Sequence, residues 1–269
     1  MQSQRNDSGF TLLELIVGAA ISSIIAYSAF SLYLTMHKEM LVQEIVTDTQ
    51  ANARAATESL SHIISVAGYD IPRCLAPIET HNSNPDTIVV DFNSGTPKQA
   101  LLTISTPFVT SELDCSGYDI AGLNPGDWAY IYNPEANSGE FFLVSSVDTT
   151  LSIIGHASMP LSAEYPSGST VSKINRVKFY VDRTDTTQSK LMIQNLGSQP
   201  QIFADNISDL NFRYFLSNGS IVLQTSNPDD IRMVEIEVVG KNHRQDIIPS
   251  GCTRSFSLRV KIRNIDLYL

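Results

Sequence analysis

The sequence predicts an α+β chain: one long N-terminal helix, membrane-spanning in its first half and amphipathic in its second, packed on a mostly antiparallel β domain. Three observations predict it. Leu15 to Met36 carry no charge over 22 residues, and a helix needs about 20 apolar residues to cross a bilayer. From Val42, apolar or small side chains return every three or four positions, at Ile45, Val46, Thr49, Ala53, Ala56, Leu60, Ile63, Ile64 and Ala67, which draws one helical stripe. From Ile71 onward the pattern becomes short, alternating, β-branched runs between turn residues.

The first nine residues, MQSQRNDSG, are polar and carry one arginine, Arg5. A positive charge on the short side of an apolar helix favours retention in the cytoplasm, and His37 and Lys38 mark the exit into water. The expected topology is N-terminus in, C-terminus out. An ordinary secretory signal has a shorter apolar run and a small-residue cleavage site, and a lipoprotein signal has a cysteine, whereas no cysteine precedes Cys74 here. One carboxylate, Glu14, interrupts the apolar start. In lipid an unpaired carboxylate costs about 3 kcal/mol at the helix centre and less near the interface, so Glu14 calls for a partner.

Gly9-Phe10-Thr11-Leu12-Leu13-Glu14, followed by the apolar run, resembles the class III signal of type IV prepilins and type II secretion pseudopilins. The resemblance implies that prepilin peptidase cuts between Gly9 and Phe10 and methylates the new amino group of Phe10. It also implies that Glu14 pairs with the terminal amine of a neighbouring subunit during assembly. The implied layout is a leader at 1–9, a transmembrane and filament-core helix at 10–36, its amphipathic continuation at 37–70, and a periplasmic or extracellular β-rich domain at 71–269. No proline occurs before Pro72, and Gly68 and Pro72 supply stop signals, so a single helix from about Phe10 to Ala67 would be about 87 Å long.

Candidate strands run Thr87 to Phe92, Leu101 to Ser105, Asp127 to Tyr132, Phe141 to Val147, Leu151 to Ile154, Val171 to Val181, Lys190 to Gln194, Ile207 to Phe215 and Ile221 to Gln224. The clearest pair is C-terminal. Val234, Ile236 and Val238 alternate with Glu235 and Glu237, while Phe256, Leu258, Val260 and Ile262 alternate with Arg259 and Lys261. Antiparallel pairing would put both apolar sets on the core face and oppose the acids to the bases outside. Gly240 to Gly251 reads as the exposed loop between them. The chain's length and its 42% hydrophobic content predict one globular core beside the extended helix.

The order of segments around Gly126 to Ile131, Val177 to Val181, Ile207 to Tyr214 and Ile231 to Ile236 is similar to PilW-type minor pilins, and overlaps with GspJ-type pseudopilins. The PilW resemblance implies low copy number, initiation of assembly with other minor pilins and a place at or near the pilus tip. It implies as partners the other minor pilins, the major pilin, prepilin peptidase, the inner-membrane assembly platform and a tip adhesin. It places the protein in the inner membrane before assembly and on the cell-surface pilus afterwards. The alternatives are a GspJ-type pseudopilin of a type II secretion system and an uncleaved single-pass periplasmic binding domain.

Other chemistry is sparse. With a net charge of −10 and scattered basic residues, the chain lacks the footprint needed to neutralise many phosphates, so nucleic acid is not an expected partner. His37, His62, His81, His156 and His243 show no zinc-binding spacing, there is no nucleophile elbow and no phosphate loop, and neither a cofactor nor enzyme activity is expected. Asp229 and Asp230 follow Asn227-Pro228 and read as a solvated turn rather than a calcium loop. Cys74, Cys115 and Cys252 form no CxxC pair. A Cys74–Cys115 bridge is the candidate disulfide, closing about 42 residues for about 4 kcal/mol, with other pairings and reduced thiols as alternatives.

Overall fold

The computed structural model describes residues 11–93, 100–103, 105–106, 112–156, 161–185, 188–242 and 251–264. Helix α1 (Leu12–Ser65) is a single element of 54 residues, about 81 Å long. Thr11 caps its start, and the chain leaves it through a turn in which the Gly68 N–H donates to the Asp91 carbonyl at 2.9 Å. Its buried residues are Ile45, Thr49, Ala53, Ala56, Thr57, Leu60, Ile64 and Ser65, the stripe that the spacing predicts with Val42, Val46 and Ile63 at its half-buried margin. Thr49 and Thr57 sit in this stripe because their hydroxyls donate to the Ile45 and Ala53 carbonyls, at 2.8 and 2.7 Å.

The strands follow in chain order as β1 (Ile78–His81), β2 (Thr87–Asn93), β3 (Ala100–Leu101), β4 (Glu112–Asp114), β5 (Trp128–Asn133), β6 (Ser138–Leu143), β7 (Ser146–Asp148), β8 (Ile153–Gly155) and β9 (Thr170–Ser172). Then come β10 (Ile174–Asp182), β11 (Lys190–Asn195), β12 (Gln201–Asp205), β13 (Ile207–Leu216), β14 (Ile221–Val222), β15 (Ile231–Asn242) and β16 (Cys252–Lys261). They form antiparallel sheets in the orders β1-β2-β10-β11-β12, β14-β13-β15-β16, β3-β9-β5-β6 and β4-β8-β7.

The first two sheets and the second half of α1 share one core, built on Leu60, Ile64, Ile88, Phe179, Phe212, Ile236 and their neighbours. Burying each such side chain stabilises by about 1.5–3 kcal/mol. The expected single core is corrected by what lies between β2 and β10. Strands β3 to β9 form an insertion with a second core around Leu113, Phe142, Ile154 and Val171. A third, smaller cluster of Ile71, Leu75, Tyr130 and Ile174 joins the insertion to the residues just after α1 and to β10. The insertion was hidden because the expected strand Val171 to Val181 runs across its junction, whereas the structure splits it into β9 of the insertion and β10 of the main sheet.

The C-terminal strands pair as expected in direction, with Val234, Ile236 and Val238 opposite Val260, Leu258 and Phe256. The register corrects two details. Glu235 faces Arg259 at 2.9 Å and also accepts from Arg213 of β13 at 3.3 Å, but Glu237 faces Ser257 and Lys261 faces Met233. Leu258 shares the face of Ile236, yet it is 40% exposed, because β16 is the edge strand and no neighbour covers its outer side. Pairing runs on to Asn242 and Cys252, so the expected connection shortens to residues 243–251, of which 243–250, including His243, lie outside the described residues.

Candidate functional site

Among the described residues, the first half of α1 packs against no other element. Leu12, Leu13, Leu15, Ile16, Ile21, Ile24, Ile25, Phe30 and Leu32 are all exposed, and among the described residues α1 is the helix long and apolar enough to cross a membrane. The hydroxyls within this apolar half are satisfied by their own helix. Ser23, Ser28 and Thr35 donate to the carbonyls of Ala20, Ile24 and Ser31 at 2.8, 2.8 and 3.0 Å, which lowers the cost of placing them in lipid. At its far end Tyr33 and His37 stack at 6.0 Å between ring centroids, an aromatic pair suited to a membrane–water boundary.

Glu14 occupies the third helical position. Its Oε2 accepts from both the backbone N–H and the hydroxyl of Thr11, each at 3.0 Å, while its own N–H donates to Thr11 Oγ1 at 3.3 Å. This is a reciprocal capping box, which satisfies two backbone donors that a helix start leaves open. The partner that the apolar surroundings call for is therefore supplied first from within the chain, by Thr11. The signal was present as Thr11-x-x-Glu14, hidden inside a run that reads first as a processing motif. The other carboxylate oxygen, Oε1, takes no part in the box and has no partner among the described residues. Gly9 and Phe10, the expected cleavage residues, lie outside the described residues.

The remaining sequence candidates are not brought together. Cys74, Cys115 and Cys252 are free, so the candidate Cys74–Cys115 bridge is corrected. Cys74 sits in the joining cluster with its Sγ 3.2 Å from the Tyr130 hydroxyl, whereas Cys115 is fully buried in the insertion core. Burial pushes the Cys115 thiol up to about 12, which keeps it protonated and unreactive. Asp229 and Asp230 lie on a short 3-10 turn, where Asp230 accepts from Ser217 Oγ at 3.2 Å and from Asn227 Nδ2 at 2.7 Å. The described residues contain no group of three or more metal-type ligands.

One charged cluster escaped sequence reasoning. Arg176 on β10 donates through Nε to Asp91 Oδ1 and through Nη2 to Asp91 Oδ2, both at 3.0 Å, pairs with Glu79, and lies 5.1 Å over the Phe141 ring of the insertion. Asp91 is 1% exposed, and burial pushes its carboxyl up to about 6 against the opposing pull of Arg176. No linear spacing signals this cluster, because Glu79, Asp91, Phe141 and Arg176 come from four strands.

Residues 4–29 match the family model for the prokaryotic N-terminal methylation motif. The chain thus has the N terminus of a type IV pilin-type or pseudopilin precursor. That motif implies processing by prepilin peptidase and assembly with other pilins, and with the apolar half of α1 it fits inner-membrane anchoring before assembly. No curated protein matches the chain.

Proposed function

We propose that the protein is a PilW-type minor pilin of a type IV pilus. It is cut between Gly9 and Phe10, N-methylated at Phe10, and acts in the initiation of pilus assembly at or near the filament tip. Its role is structural rather than catalytic. The observation that carries this reading is the division of α1: the apolar half, which begins inside the matched motif, is bare, while the other half is fixed in the core of the β domain. A bare apolar helix needs lipid before assembly and other helices afterwards, and Glu14 at its start keeps a carboxylate oxygen open for a neighbour's terminal amine. A tip position is supported by the insertion, which packs against Ile71 and Leu75 just beyond the far end of α1. Bulk at that end obstructs stacking of a further subunit less when the subunit is terminal.

A GspJ-type pseudopilin would use the same helix in a secretion machine, and the motif fits both. The deciding experiment is the mass and N-terminal sequence of the mature protein from cells with and without prepilin peptidase, with a Gly9→Ala variant. A product beginning at N-methylated Phe10, lost in both controls, supports the pilin class, and recovery with sheared pili rather than with the secretion machine selects the minor pilin. An intact Met1 would refute the class and leave a membrane-anchored periplasmic domain.

A further inference from the structure

Two core-facing rows of the five-stranded sheet end in amides. On β10 the row runs Val181, Phe179, Val177 and then Asn175, and on β11 it runs Leu191, Ile193 and then Asn195. The pairing of Val177 with Asn195 brings these ends side by side, and Asn175 stands opposite Phe92 of β2, whose own row is otherwise Ile88 and Val90. Asn175 is half-buried and Asn195 exposed, so both amides stand where the rows leave the core. Neither side-chain amide has a hydrogen-bond partner among the described residues, although each offers two donors and an acceptor.

The two amides line a groove of about 390 Å³ whose wall includes Ile63 of α1, Phe92 and Trp128. Trp128 is fixed by the turn between β11 and β12: a Cβ on Gly197 would lie 2.0 Å from its Nε1, so only glycine lets the turn press on the indole. The charges around the groove are already neutralised. Lys173 Nζ is 2.5 Å from Asp127 Oδ2 and 3.1 Å from the Gly122 carbonyl, and Arg176 is held by Asp91 and Glu79. A phosphate or carboxylate would find no unpaired cation there. A sugar ring combines an apolar face, which packs on an aromatic wall, with hydroxyls that match amide donors and acceptors. The volume falls within the range of about 300–1,000 Å³ usual for small-molecule sites, near its lower end.

We propose that this groove binds a neutral saccharide of one or two rings, held by Asn175 and Asn195 against the aromatic wall of Phe92 and Trp128. The site is independent of the filament role. Its test uses the full chain in lipid nanodiscs, free of sugar-headed detergent, titrated with maltose, cellobiose, lactose and N,N′-diacetylchitobiose, with triglycine as the control. Trp128 is the chain's one tryptophan, so its emission reports on the groove directly, and saturation-transfer NMR reads binding from the ligand side. The expected result is saturable binding of at least one disaccharide at millimolar concentration or below, weakened about tenfold or more in Asn175→Ala/Asn195→Ala. Asn195→Ala alone, at an exposed position, leaves folding intact and is expected to weaken binding in the same direction. Silence from all four disaccharides, binding unchanged in both variants, or binding of triglycine in place of the sugars would overturn the proposal.

Discussion

Glu14 has two jobs that substitution can separate. Its carboxylate closes the capping box with Thr11, and its charge is the feature that the proposed assembly step uses. Gln keeps an acceptor oxygen at the same place and preserves the box, whereas Ala removes both. Glu14→Gln is therefore expected to be processed normally but to enter sheared filaments about tenfold less than wild type, the equivalent of about 1.4 kcal/mol of lost pairing. Glu14→Ala adds the loss of the cap. Equal incorporation of the Gln variant and wild type would show that the charge is idle.

Asp91 titrates with the opposite sign from an ordinary surface carboxylate. Its folded pKa lies near 6, above the usual value of 3.8, so the native state holds this proton to higher pH than the unfolded chain does. Its stabilising contribution is complete below about pH 4 and is lost as pH rises through about 6. The stability advantage of wild type over Asp91→Asn should thus shrink by about 2–3 kcal/mol across that window, read from urea unfolding at a series of pH values. Parallel curves would mean that Arg176 fully offsets the burial.

Between elements, β15 meets α1 at close range. A Cβ on Gly240 would stand 3.0 Å from Thr49 Cγ2, 3.1 Å from the Thr49 carbonyl and 3.3 Å from Ala53 Cβ. Gly240→Val must push the helix off the sheet, and overpacking of this kind costs about 1–3 kcal/mol, measurable as a lowered urea midpoint. A midpoint at the wild-type value would show that the helix can shift freely. The helix itself was legible, because the spacing from Val42 to Ala67 has only one period and the apolar stretch only one reading. The long, alternating β13 and β15 were legible for the same reason. β1, β4 and β12 were not. Ile78–His81 starts just after Pro77, Glu112–Asp114 is three residues long, and Gln201–Asp205 is an edge strand whose apolar residues, Ile202, Phe203 and Ala204, are adjacent rather than alternating. Gly240 read as the start of a loop, since only the fold reveals that a helix lies against it.

At the scale of the whole chain, local pattern fixes strands but not which core each one joins, and the two cores offer a direct test of that division. The insertion buries Leu113, Phe142, Ile154 and Val171 among themselves, while α1 and the two larger sheets bury Leu60, Phe179, Phe212 and Ile236. The two meet through a few residues, Ile71, Leu75, Tyr130 and Ile174, through Arg176 over Phe141, and through Trp128 against Gly197. A link so small beside the cores that it joins lets them open as separate cooperative units. Phe142→Ala, at a side chain 1% exposed, should cost about 3–5 kcal/mol and, read by hydrogen exchange, should accelerate β5, β6 and β8 while leaving β13 and β15 at wild-type rates. Phe212→Ala should do the reverse, accelerating the second half of α1 with β13 and β15. If either variant loosened both cores alike, the joining cluster would be transmitting the full stability of one to the other, and the insertion would be part of the main core after all.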